Sequence, residues 1–177
     1  MVWKIPHLQS FNPYIHQSLK MTRYKALALQ VTCNAVNKAK DKDAAEVIML
    51  QTLDRLDAQI RASKAFIGQD TKLVVLPEYF LTSFPLGETI PQWRDKACLE
   101  MDGKIYDRIG EIAQKHSIFL SGNAYELDPN FPQLYFQTSF IVDPAGDVIL
   151  RYRRLNSMFA PTPHDVWDKY LGVYGYD

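Results

Sequence analysis

A chain of 177 residues, 47% of them hydrophobic and 23% charged, is long enough to bury one sizeable core and too short for two comfortable domains. Its 20 basic and 20 acidic side chains cancel, so no global field points to nucleic acid or an anionic membrane as partner. No apolar run nears the ~20 residues of a membrane-crossing helix, and two cysteines, Cys33 and Cys98, make no disulfide framework, which points to a reducing, cytoplasmic setting.

Residues 1–24 read as an N-terminal extension, aromatic and polar without a period and without the apolar stretch of a signal peptide; Met21 is an alternative start. The domain is expected over 25–177. Residues 26–31 predict a first strand, and 34–42 a loop. Asp43 with Glu46 resembles a capping box opening a helix. Met49, Leu53, Leu56, Ile60 and Ile67 then lay one apolar stripe along it, and Gly68 is a natural stop. Residues 72–76 predict a second strand, buried on both faces, ended by Pro77 and followed by the carboxylate of Glu78.

An irregular segment with Pro85, Gly87 and Pro91 follows. A second helix is predicted over 103–115, capped by Asp102, with Ile105, Ile109 and Ile112 on one side. Strands are expected over 118–122 and 136–142, and a tight turn at 143–147 leads to an antiparallel fifth strand over 148–152. The order β-α-β-α-β-β-β predicts an α/β fold: a mixed sheet with both helices on one face. The tail from Leu155 shows no strand.

At the carboxyl end of a buried strand, Glu78 is either a solvated acid or a site group, since ligands collect at such ends. Four scattered histidines and two cysteines give no metal-ligand spacing. Cys33 and Cys98 read as small buried hydrophobes, and His116 as a cation suited to a helix C-terminus. His164-Asp165 is an adjacent pair whose side chains have no reason to face each other. Ser83 and Ser157 have no histidine placed as a base.

Leu76-Pro77-Glu78 with Phe84-Pro85, then Gly122-Asn123-Ala124-Tyr125-Glu126, then Arg151-Tyr152-Arg153-Arg154 after Asp143-Pro144-Ala145-Gly146 resemble, in that order, the nitrilase or carbon–nitrogen hydrolase superfamily over roughly residues 25–155. The resemblance implies an α-β-β-α sandwich, commonly paired into dimers. It implies a general base at the Pro-Glu, a lysine after the hairpin and a cysteine nucleophile on a later strand. Glu78 would be the base; Arg154 stands where the lysine belongs and Asn156 where histidine is usual. Arginine keeps the charge that stabilises an oxyanion but does not release its proton at neutral pH; the plainer reading of Arg154 is a solvated or ion-paired strand-end cation. Tyr79, Asn123 and Glu126 are candidate substrate-binding neighbours.

Asp177 comes before the strand on which the family carries its cysteine, so the sandwich is expected to be incomplete at its C-terminus and the chain alone inactive. Three functions follow: part of a hydrolase of small amides or nitriles, a non-catalytic relative that binds a small molecule or assembles, or an unrelated α/β ligand-binding domain. No cofactor or metal is implied, and a homo-oligomer or a partner is expected over the open half of the fold.

Overall fold

Two parallel ladders set the architecture: β1 (Lys25–Ala28) lies beside β2 (Thr71–Val75), and β2 beside β3 (Phe119–Leu127). Parallel neighbours need crossover connections. Here α1 (Lys42–Ile67) joins β1 to β2, and α2 (Ile90–Ala97) with α3 (Lys104–His116) joins β2 to β3. The sheet then continues by antiparallel pairing to β4 (Tyr135–Val142) and β5 (Val148–Arg153), in the order β1-β2-β3-β4-β5. A 3-10 turn (Pro163–Val166) and α4 (Trp167–Tyr174) follow. This computed structural model describes residues 23–158 and 160–175. The expected extension and the alternative start at Met21 lie outside them, apart from Arg23 and Tyr24. Among the described residues no helix is long and apolar enough to cross a membrane.

One face of the sheet is covered. Met49, Leu53, Leu56 and Ile60 of α1 and Ile109 and Ile112 of α3 pack into a buried cluster with Val74, Leu120 and Phe140, and burial of such side chains is the main source of stability. Ile67, the last member of the expected stripe, is exposed where the helix leaves the core. Across the opposite face, register sets Ala28, Val75, Ser121, Ile141 and Leu150 in one row. Val75 and Phe119 there are each 39% exposed and Tyr152 is 58% exposed. The structure is therefore a sheet with helices on one side, one α-β pair of layers of the expected sandwich.

Several expected boundaries move. The cap of α1 is Asp41, whose carboxylate accepts from Ala44 N at 2.9 Å; Asp43 sits in the first turn, and Glu46 is drawn away to an ion pair with Lys104. Asp102 does not cap α3, because Gly103 takes the extended cap position, with no side-chain hydrogen bond. The irregular segment contains α2, opened by a capping box between Thr89 and Gln92 with Pro91 in its first turn, where proline favours a helix rather than breaking it. The tail contains α4, whose Trp167, Tyr170, Leu171 and Tyr174 recur at helical spacing.

Asp128 and Arg153 hold α4 down by an ion pair of 2.6 Å, both side chains buried, with the guanidinium against the rings of Phe136, Tyr170 and Tyr174. Burial alone would raise the Asp128 carboxyl; hydrogen bonds from Tyr174 and Asn130 and the charge of Arg153 outweigh it and hold it below the ordinary carboxylate range. On the other flank Gly110 of α3 meets the hairpin turn so closely that a Cβ would stand 2.7 Å from the Gly146 carbonyl oxygen.

Gly110→Ala is therefore expected to destabilise by about 1 kcal/mol or more in urea titration, because overpacking costs ~1–3 kcal/mol and exceeds alanine's helix advantage of ~1 kcal/mol. Asp128→Asn is expected to cost about 3 kcal/mol at pH 7 by leaving Arg153 buried without its partner. With a folded value below the unfolded one, the Asp128 contribution is present above roughly pH 4 and lost as pH falls through the folded value. Urea midpoints of Asp128→Asn measured down the acid limb should accordingly fall less steeply than those of the wild type.

Candidate functional site

The second strand delivers Glu78. Leu76 N still donates to Ser121 O at 2.9 Å, continuing the ladder for one residue; Pro77 has no N–H to extend it. Tyr79 and Ser83 adopt positive φ of 59° and 66°, and Ser83 N donates to Tyr79 O at 3.1 Å, so the chain reverses tightly after Glu78. Buried Phe80 and Leu81 anchor that reversal. Gly122 makes room for it, since a Cβ there would lie 2.6 Å from the Phe140 ring and 3.1 Å from the Phe80 ring.

Strand alternation sorts the motif at 122–126 onto two faces. Asn123 and Tyr125 share the face opposite that of Gly122, Ala124 and Glu126, and Tyr125 is registered with Gln137 of β4. On this face five side chains meet. Gln137 Nε2 donates to Glu78 Oε1 at 2.7 Å and to Asn123 Oδ1 at 3.1 Å. Arg154 Nη1 donates to the same Glu78 Oε1 and, at 3.2 Å, to Gln137 Oε1. Ser157 Oγ is 3.3 Å from Gln137 Oε1. Glu78 and Arg154 are each 46% exposed at their side chains, so the pair adds little to stability and stays open to an incoming molecule. A cleft of about 650 Å³ lies beside Ser157, lined also by Pro85, Ile90, Tyr135, Met158 and Pro161.

The structure thus brings together Glu78, Arg154 and Asn123. Tyr79 is adjacent, but its ring stacks on Tyr125 with centroids 5.9 Å apart and tilts against Phe84. Glu126 is elsewhere: fully buried on the helical face, it accepts from Tyr106 Oη and from Arg151 Nε at 3.1 Å. Asp165 caps the 3-10 turn at Thr162, and His164 packs edge-on against Trp167. His116 binds Asp57 Oδ1 at 2.6 Å. Gln137 is absent from the sequence-derived set. Its signal is the polar stretch Gln137-Thr138-Ser139 between the apolar ends of β4, and nothing in one sequence says which groups it meets.

Neither cysteine belongs to this cluster. Cys98 caps α2 from within the core, 3.7 Å from Trp93 O, and burial pushes its thiol well up. Cys33 lies against the Ser83 backbone and Arg55; its burial raises the thiol more than those neighbours lower it. Chemically, the cluster offers an acceptor-only carboxylate that can take a proton, beside a permanent cation that can hold developing negative charge.

The sequence profile of the family described as Carbon-nitrogen hydrolase matches residues 25–176. A formamidase from Nitratidesulfovibrio vulgaris (strain DP4) is 26% identical over 123 residues, covering 68% of this chain and 33% of that protein. The fold is similar to that of an N-terminal amidase crystallised with a Gln-Val peptide, with a TM-score of 0.56, 16% identity, and 82% of this chain and 29% of that one covered. It is also similar to an amidase from Nesterenkonia sp., with a TM-score of 0.50, 18% identity, and 77% and 44% covered. The chain spans about a third of the formamidase and less than half of either structure.

Titration of the native chain with a disulfide reagent at neutral pH should label Cys33 slowly and Cys98 only on unfolding, because the thiolate is the reactive form and burial disfavours it. A fast-reacting native thiol would instead mark one of them as a nucleophile.

Proposed function

Because the chain belongs to the carbon–nitrogen hydrolase family, we propose that it forms the base-and-cation part of a site that hydrolyses small amides or nitriles, with Glu78 as the base and Arg154 as the cation. The observation that carries this reading is their meeting on the open sheet face, at the carboxyl end of β2 and near a cleft bordered by Ser157, which hydrogen-bonds to Gln137. In this reading the thiol nucleophile comes from outside the described residues. Glu78 takes its proton, the thiolate attacks the substrate carbon, and Arg154 stabilises the negative charge on the oxygen or nitrogen of that centre. The proton on Glu78 then passes to the departing amine or ammonia, and a water activated by the same carboxylate releases the acid. The names of the formamidase and of the two amidases support amide over other carbon–nitrogen substrates.

A partner surface belongs to the proposal. On the open face Val75, Phe119, Leu150 and Tyr152 are apolar or aromatic and exposed, and a second copy or further sequence over them would dry the site and strengthen its electrostatics. The two free cysteines support a reducing, cytoplasmic setting.

One observation favours a second reading, a non-catalytic relative that binds a small molecule. Arg154 cannot exchange a proton as the family lysine can, and it is already committed to Glu78.

The natural protein at its full native length, assayed for ammonia release from short aliphatic amides, formamide and nitriles, decides between the two. Hydrolysis is expected, with kcat of Glu78→Gln lowered roughly 10²–10⁴-fold, the range of general acid–base catalysis. An inert wild type that still binds one of these compounds by calorimetry would establish the second reading.

A further inference from the structure

A carboxylate only accepts hydrogen bonds and a guanidinium only donates them, so a neighbour that must hold both needs an acceptor end and a donor end. A primary amide is such a group, and Gln137 stands between Glu78 and Arg154 with 1% of its surface exposed. Both hydrogens of its Nε2 are directed at acceptors, Glu78 Oε1 at 2.7 Å and Asn123 Oδ1 at 3.1 Å. Its Oε1 receives Arg154 Nη1 at 3.2 Å and Ser157 Oγ at 3.3 Å. Its main-chain carbonyl also accepts from Arg154 N at 2.9 Å, so one residue fixes both the backbone and the guanidinium of the cation. The amide has one orientation only: flipped, it would set its oxygen against the carboxylate and its NH2 against the guanidinium.

The contacts on Glu78 are equally one-sided. Gln137 and Arg154 both donate to Oε1, and among the described residues no hydrogen bond falls on Oε2. We infer that Gln137 is the positioning residue of this site: it fixes Glu78 and Arg154 relative to each other and turns Glu78 so that Oε2 is the proton-accepting oxygen. The inference rests on the hydrolase reading above for its consequence in catalysis, and on geometry alone for the positioning itself. At 137, glutamate would repel Glu78, lysine or arginine would repel Arg154, and asparagine is one methylene short of the reach. Asn123 supports the arrangement from behind, taking the second Nε2 hydrogen while its own Nδ2 lies 3.4 Å from Ser139 Oγ.

Gln137→Met is the informative variant, because methionine keeps length and volume while removing every hydrogen bond of the side chain. Crystal structures of the wild-type and Gln137→Met proteins at native length are expected to differ in the Glu78 carboxylate, moved beyond the ~0.5 Å within which a productive group must be held. On whichever amide the wild type hydrolyses, kcat should fall roughly 100-fold, the cost of a misplacement near 1 Å, with KM unchanged. Gln137→Glu should fall further than Gln137→Met, since it adds repulsion to the lost hydrogen bonds. A Gln137→Met protein with Glu78 and Arg154 in place and full kcat would reduce Gln137 to packing and overturn the inference. If Gln137→Met does not fold, Asn123→Ala tests the same network by freeing one Nε2 hydrogen; an unmoved Gln137 amide and unmoved Glu78 would overturn it equally. A wild type inert on every amide and nitrile would refute the hydrolase reading, while the crystallographic comparison would still decide whether Gln137 positions the pair.

Discussion

The insertion of β2 between β1 and β3, parallel to both, is the constraint from which the rest follows. Parallel strands cannot be joined by tight turns, so the chain must cross over twice, and right-handed crossovers between adjacent strands fall on one side of a sheet. This covers one face with α1 and α3 and leaves the other open, and it gathers the carboxyl ends of the parallel strands at one edge. Pro77 then ends the ladder of β2, so the next side chain, Glu78, emerges at that edge and not within the core.

Similar ion pairs have opposite uses on the two sides of this sheet. On the helical face Arg153 with Asp128 is buried and Arg151 reaches the fully buried Glu126, the charges taken up by aromatic rings, backbone carbonyls and hydroxyl groups. Removing one partner of such a pair is costly, because the other charge is left without its counter-ion. On the open face Glu78 and Arg154 remain half in solvent and contribute little to folding. In the proposed hydrolase reading that second pair is available to chemistry because the fold depends little on it.

The open face of the sheet is apolar as well as polar. A sheet whose exposed residues include Val75, Phe119, Leu150 and Tyr152 presents an apolar surface at the same place as the polar cluster. A second copy or further sequence over that surface, as proposed, would exclude water from Glu78 and Arg154 as well. In the proposed assembly such a cover would also act on the electrostatics of the site, because a lower local dielectric strengthens the interaction of Arg154 with any charge that forms beside it.

How much was legible in the sequence follows from the range of each interaction. Local rules sufficed for the strand ending at Pro77, for the stripe from Met49 to Ile60, for the stop at Gly68 and for the turn before Val148, because each depends on neighbours a few residues away. Where two local rules competed, one residue could mislead: Pro91 reads as a breaker unless Thr89 and Gln92 are read with it, and Asp43 reads as a cap unless Asp41 is weighed beside it. The motif at 122–126 was visible, but strand alternation sends Glu126 to the helical core and Asn123 to the site, and only pairing with β4 shows which face is which. By itself the sequence determined the mixed α/β order, the place of Glu78 at a strand end, and the charge at 154. Only the tertiary structure decided that Gln137, 59 residues from Glu78, joins the two, since a hydrogen bond between side chains on different strands leaves no periodic trace in either.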